Sequence, residues 1–136
     1  MFHVKHQTLY HVTQTKNVGK IRKRGILPMQ PTNWVQAGSG ARYGDIGEVF
    51  AFERPEDAIQ WAAKWDWSLS KSMGSGKISV VVFEADMDAW EEDTADPIGQ
   101  AGRRGRWLKS RVGVRPEQVV RADKVTLLSI QNALRR

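Results

Sequence analysis

The sequence predicts an α+β domain, with helices early and most strands late. Three observations lead there. The run from Ile78 to Ala85, Ile-Ser-Val-Val-Val-Phe-Glu-Ala, is β-branched and nearly continuous in apolar residues, as in a central strand. Thr15 to Arg24 and Pro55 to Trp65 carry helix start signals with apolar residues at helical spacing. No repeat and no linker interrupts the 136 residues, so one domain spanning 1–136 is expected. Such a length buries roughly two thirds of the unfolded surface, enough for a hydrophobic core.

In chain order, residues 8–13 (Thr-Leu-Tyr-His-Val-Thr) alternate polar and larger side chains and read as a short strand. Thr15 is placed to cap a helix ending near Arg24, and Gly25 stands where a left-handed residue closes one. Val18, Ile21 and Leu27 give this helix a thin apolar stripe, while Lys16, Lys20, Arg22, Lys23 and Arg24 face water. Pro28 prevents continuation. Met29 to Gly47 shows no period and holds Pro31, Gly38, Gly40, Gly44 and Gly47, so it reads as a long loop. Loops of that length are usually functional or mobile. Trp34, Arg42, Tyr43 and Asp45 lie in it, where they could fold over a ligand.

Gly47 to Phe52 is a short strand. Pro55 suits the first helical position, followed by Glu56 and Asp57 where the helix dipole favours acids. The helix runs through Ala58, Ile59, Ala62, Ala63 and Trp65, and Met73 to Gly76 breaks the pattern. Residues 84–96 are acidic and turn-like, and Pro97 to Gly105 is a Gly/Arg-rich loop. Arg106 to Val112 and Gln118 to Val120 read as strands on either side of Arg115-Pro116. Val125 to Leu134 fits either a closing strand or a C-terminal helix.

Composition excludes several chemistries. Without cysteine there are no disulfides, thiolate metal sites, Fe–S clusters or cysteine nucleophiles. No apolar run reaches about 18 residues, and Met1 to His6 lacks the apolar core of a secretory signal. A soluble, cytoplasmic protein without a membrane partner is expected. The net charge of +6 is unevenly spread. Residues 1–44 hold seven Lys/Arg and no acid; residues 45–100 hold four against thirteen acids; residues 102–136 hold ten against two. Two basic ends flank an acidic middle. Such ends suit an anionic partner, solvated surface, or a match between ends and middle.

Several segments carry a family likeness. The first is Leu9-Tyr10-His11-Val12-Thr13, then Val18 and Ile21, then Gly25-Ile26-Leu27-Pro28. The second is Gly47-Glu48-Val49-Phe50-Ala51-Phe52 followed by Arg54-Pro55-Glu56-Asp57-Ala58. The third is Trp107-Leu108-Lys109-Ser110 with Val114-Arg115-Pro116-Glu117-Gln118-Val119. In order and spacing they resemble the ADP-ribosyltransferase superfamily, particularly its small bacterial and phage members. The likeness covers about residues 8–125.

The resemblance implies a split β-sandwich with NAD, as substrate, in the cleft between two small sheets. It assigns His11 to the hydroxyls of the nicotinamide-side ribose, with Tyr10 and Thr13 on the same strand. A neutral imidazole suits that task, donating from one nitrogen and accepting at the other. Phe50 inherits the aromatic place against nicotinamide, with Tyr43 as competitor; the family usually has Tyr there, and the register puts Val49 near that position. A catalytic carboxylate would stabilise positive charge developing on the ribose, and Glu117 and Glu48 are the candidates, with Glu53 more remote. Read without the family, His11 is a half-buried strand histidine, Phe50 and Phe52 are core, and Glu117 is a surface residue beside Pro116.

RNA 2′-phosphotransferases of the same superfamily share a Gly-x-Trp-Leu segment, similar to Gly105-Arg106-Trp107-Leu108. Arg42, Arg103, Arg104 and Arg106 suit a pyrophosphate or a 2′-phosphate, since a guanidinium binds two oxygens at once. Tyr10 replaces the arginine which that subgroup carries before its first His, so its activity ranks last.

Other constellations read as structure. His3 and His6 are terminal and lack nearby carboxylates or cysteines, so no metal site is expected. Met73-Gly-Ser-Gly-Lys77 is similar to the end of a phosphate loop, but Ile78 stands where Ser or Thr is required. The acids between Glu84 and Asp96 lack calcium-loop spacing. Trp61, Trp65 and Trp67 read as core packing, whereas Trp34 and Trp107 suit stacking on a base or ring.

The expected function is therefore NAD-dependent transfer of ADP-ribose to a protein or nucleic-acid acceptor, by a monomer. By its likeness to phage members, the target would lie in a host. The competing reading is a non-catalytic binder on the same scaffold, contacting a host protein or nucleic-acid complex through the basic ends.

Overall fold

The structure, a computed structural model, describes residues 5–28, 47–65, 75–94 and 104–134. It is α+β. Six strands, β1 (His6–Gln14), β2 (Val49–Phe52), β3 (Ser75–Asp86), β4 (Glu91–Glu92), β5 (Trp107–Ser110) and β6 (Val119–Thr126), join in the order β4-β5-β2-β1-β3-β6. Every pairing is antiparallel. The helices are α1 (Val18–Arg24), α2 (Pro55–Trp65) and α3 (Leu127–Leu134).

The β-branched run at 78–85 forms the interior of β3, which pairs with β1 from His6↔Asp86 to Gln14↔Ile78 and with β6 on its other side. Ile78, Val80, Val81, Val82 and Phe83 are all buried, as a strand covered on both faces requires. β1 and β2, by contrast, are joined by the single pair Tyr10↔Phe52. The sheet thus consists of two three-stranded halves, β4-β5-β2 and β1-β3-β6, that touch through one backbone pair.

Side chains bind the halves instead. Alternation along each strand sends Leu9, Val49, Ala51, Val81, Phe83 and Leu108 to one face, where they cluster with Ile21 of α1, Ile26, Trp90 and Val114. The opposite face carries Val12, Phe52, Val80 and Trp107 against Ala58 and Ala62 of α2, with Trp61 and Ile130 packed alongside. Phe52 meets Trp107 edge-on at 5.2 Å between centroids, and Trp61 at 5.9 Å. Each cluster draws residues from both half-sheets, so apolar burial crosses the seam above and below.

Two local devices fix the connections. Ile26 and Val114 exchange backbone hydrogen bonds of 2.8 Å in both directions, docking the turn after α1 onto the β5–β6 connection. Gly25 (φ +78) and Gly113 (φ +86) make this approach possible, because a Cβ on either would run into the opposing carbonyl. On the other side of the sheet, the buried Asp57 carboxylate accepts the backbone N–H of Arg104 (2.9 and 3.1 Å to its two oxygens) and of Gly105 (2.9 Å). Asp57 does more than complement a helix dipole: it pins the chain entering β5 to the first turn of α2.

Several expectations are corrected. Thr15 does not cap α1; it opens a 3-10 turn and its hydroxyl bonds that of Ser79 at 2.8 Å, leaving Asn17 at the cap without a side-chain bond. Leu27 is 50 % exposed, because the chain has left the helix at Gly25 and turned toward Val114. Helices and strands interleave along the chain, ending in a helix, so the early-helix, late-strand order does not hold. Residues 119–126 form a strand and 127–134 a helix, which divides the ambiguous C-terminal segment. The acidic stretch contributes the end of β3, a 3-10 turn at Met87–Ala89 and the short β4. Most of the expected long loop (residues 29–46) and much of the Gly/Arg-rich loop (residues 95–103) lie outside the described residues.

Candidate functional site

The seam between the half-sheets gathers the most chemistry. Beyond the Tyr10↔Phe52 pair, β1 and β2 share no further ladder partners, and His11 fills the interval with a side-chain bond. Its Nδ1–H donates to the Phe50 carbonyl oxygen at 2.7 Å. A carbonyl can only accept, so Nδ1 carries the proton and Nε2 is left as an acceptor. No described group takes Nε2. Burial pushes the His11 pKa down, outweighing the upward pull of the Phe50 carbonyl, so the ring is neutral at neutral pH.

Glu48, just before β2, stands two residues from Phe50 and is 6 % exposed. Its Oε2 has no hydrogen-bond partner, although Lys109 Nζ lies at ion-pair distance, 3.5 Å. The same ammonium is 4.0 Å from the exposed Glu91. Register explains the group: Phe50 pairs with Lys109 and Lys109 with Glu91, so the three side chains share one sheet face. Phe50 itself is half-buried. His11, by alternation with Leu9, belongs to the opposite face and reaches the seam by its ring edge.

A second polar network closes the other end of the seam. Glu53 accepts from Arg106 N (2.7 Å), Arg106 Nε (3.1 Å) and Nη2 (2.9 Å), and from Gln7 Nε2 (2.9 Å). Burial pushes the Glu53 pKa up, but the bonds from Arg106 and Gln7 prevail and hold it at about 2. Gln7 belongs to β1 and Arg106 precedes β5, so this carboxylate ties the two halves together. Arg106 is thereby committed to Glu53, which raises its own pKa.

The remaining predicted site residues are dispersed. Tyr10 is half-buried beside the seam, and Thr13 is buried on the His11 face. Glu117 lies in a 3-10 turn before β6, 67 % exposed and paired with Arg115 at 2.9 Å. β3 separates it from β1, which puts it at least two strand spacings, about 10 Å, from His11. Arg104 is exposed with its backbone held by Asp57. Trp107 is core, packed on Phe52, with its indole N–H lacking a partner. Arg42, Tyr43, Trp34, Asp45, His3, Trp67 and Arg103 lie outside the described residues.

Lys109 and Asp57 are the functional groups that sequence reasoning passed over. Alternation on β5 indicated which face Lys109 takes, but its acidic partners depend on strand order. Among the described residues no group of three or more His, Asp or Glu gathers as a metal site, and no helix is long and apolar enough to cross a membrane. Compared with protein-family models the chain matches none, and comparison with curated proteins gives no match either.

Proposed function

We propose that this chain is an NAD-dependent ADP-ribosyltransferase of the split-sandwich type, acting on a macromolecular acceptor. One observation carries the reading: a sheet nearly parted into two three-stranded halves, with a neutral histidine of fixed tautomer in the seam. His11 Nε2 is the acceptor for a ribose hydroxyl. On the opposite sheet face Phe50 offers a half-buried ring two residues from Glu48, whose Oε2 has no hydrogen-bond partner and is suited to face developing positive charge. The group supplied by NAD is a glycosidic carbon that becomes cationic as nicotinamide departs, and a preorganised carboxylate lowers that barrier.

Glu48 is preferred over Glu117 for this role, because it is buried two residues from Phe50 whereas Glu117 lies across β3 and is exposed. Lys109 places its ammonium 3.5 Å from the buried Glu48 carboxylate as a counter-charge. Thr13 and Tyr10 support the His11 strand, and of the arginines predicted to bind phosphate Arg104 is the described one whose side chain has no carboxylate partner.

The test is transfer of labelled ADP-ribose from NAD by the native chain and by His11→Ala. Removing a hydroxyl contact used in the transition state costs on the order of 100-fold or more. Undiminished transfer by His11→Ala would refute the reading. No detectable NAD binding by calorimetry at millimolar concentration would favour the non-catalytic binder instead.

A further inference from the structure

The cations of this protein fall into two groups. Arg106, Lys109, Arg115 and Arg121 each have a carboxylate within 4.0 Å. Lys16, Lys20, Arg22, Lys23, Arg24 and Arg111 have none among the described residues and all six are exposed, as are the likewise unpaired Lys5, Arg54, Lys77, Arg104 and Lys124. Five of these eleven lie on α1 and the turn leading into it, and residues 1–44 hold no acid.

The Ile26–Val114 bridge brings Arg111 to them. Arg111 lies three residues from that bridge and Arg24 two, and exposed Leu27 (50 %) and Val112 (74 %) lie close beside the docked turns. The result is a rigid basic surface assembled from both basic ends of the sequence and held by two positive-φ glycines. From the 3-10 turn into α1, Lys16, Lys20 and Lys23 span about 10 Å at roughly 1.5 Å per residue, a reach that several successive phosphates of a nucleic acid can follow. The surface lies on the sheet face toward which His11 also points, since Ile21, Ile26 and Val114 pack on Leu9 and Val81.

We infer that this surface docks the phosphodiester backbone of a nucleic acid. A row of exposed cations whose one adjoining carboxylate among the described residues, Glu117, is already held by Arg115 suits a polyanion of one repeating charge. It suits an acidic protein less, because such a surface presents charge in scattered positions. Two aliphatic side chains, with no exposed aromatic among the described residues beside them, give little purchase on a lipid surface. The inference does not depend on NAD turnover.

The experiment measures fluorescence anisotropy of labelled 20-nucleotide single-stranded RNA, single-stranded DNA and duplex DNA with the full chain, between 50 and 200 mM NaCl. The variant Lys20→Glu/Lys23→Glu/Arg111→Glu is compared with Lys5→Glu/Lys77→Glu/Lys124→Glu, which changes net charge equally at other exposed positions. Each lost phosphate contact is worth nearly tenfold at 100 mM salt. The first variant is expected to bind on the order of 100-fold more weakly with a shallower salt slope, and the second to change by less than about fivefold. The strongest of the three probes identifies the source of the backbone. Equal weakening by both variants would reduce the effect to net charge and overturn the proposal. So would absence of binding at 50 mM salt, or binding only to phosphatidylserine vesicles or to polyglutamate.

Discussion

Replacing Asp57 by Ala tests whether the α2–β5 clamp holds the fold as its geometry implies. The native carboxylate is 1 % exposed and receives two backbone N–H groups through contacts of 2.9 to 3.1 Å. Hydrogen bonds to a charged acceptor contribute about 1.5–3 kcal/mol each. Arg104 is exposed, so water can recover part of that loss when the carboxylate is removed. A net cost of about 3 kcal/mol remains, a large share of the 5–15 kcal/mol typical of a domain. For a chain of this size that corresponds to a Tm lowered by roughly 10 °C. Thermal unfolding followed by circular dichroism measures it, and amide exchange locates it: Arg104 and Gly105 should lose protection before the β3 core does. A Tm within about 2 °C of native, with both amides as slow as before, would show that the loop is held by something else.

Three further outcomes are expected. Gly25→Ala and Gly113→Ala should each cost about 2 kcal/mol or more in urea unfolding, since both have positive φ and face an opposing carbonyl; Gly19→Ala, in open space on α1, should gain up to about 1 kcal/mol. Glu53 has its folded pKa depressed from 4.5 to about 2, so its stabilisation is complete above pH 4.5 and is lost as pH falls toward 2. Partly exposed, it is worth about 1 kcal/mol, and Glu53→Gln should flatten the stability profile between pH 4.5 and 2 in urea titrations. Lys109→Met leaves the buried Glu48 without its counter-ion and should cost about 3 kcal/mol, while Lys109→Met with Glu48→Gln should recover most of it in a double-mutant cycle.

Local chemistry made much of the fold legible. Pro55 and its acids announced α2, Gly25 announced the end of α1, and the β-branched run announced β3. Each of those signals acts within a few residues of the element it specifies. The strand order was not legible, because antiparallel neighbours such as β2 and β5 are distant in sequence and share no local mark. Thr15 shows the same limit: its hydroxyl suits a helix cap, but Ser79, far away in the chain, offers a better partner. His11 was legible as a strand residue with a polar task, whereas its tautomer followed only from Phe50 being the neighbour. Glu53 and Arg106 each looked free to bind a ligand until the fold set them against each other.

The manner in which the half-sheets adhere has a mechanical consequence. Backbone ladders are directional, and they fail in discrete steps when strands slide. Apolar contacts are not, and two packed surfaces can shift by fractions of an ångström while keeping most of their burial. With one ladder pair at the seam and apolar clusters on both sides, the spacing between β1 and β2 is governed by the softer interaction. The joint works as a gasket more than as a weld. Glu53 with Gln7 at one end and His11 with Phe50 near the other act as stays that limit its travel.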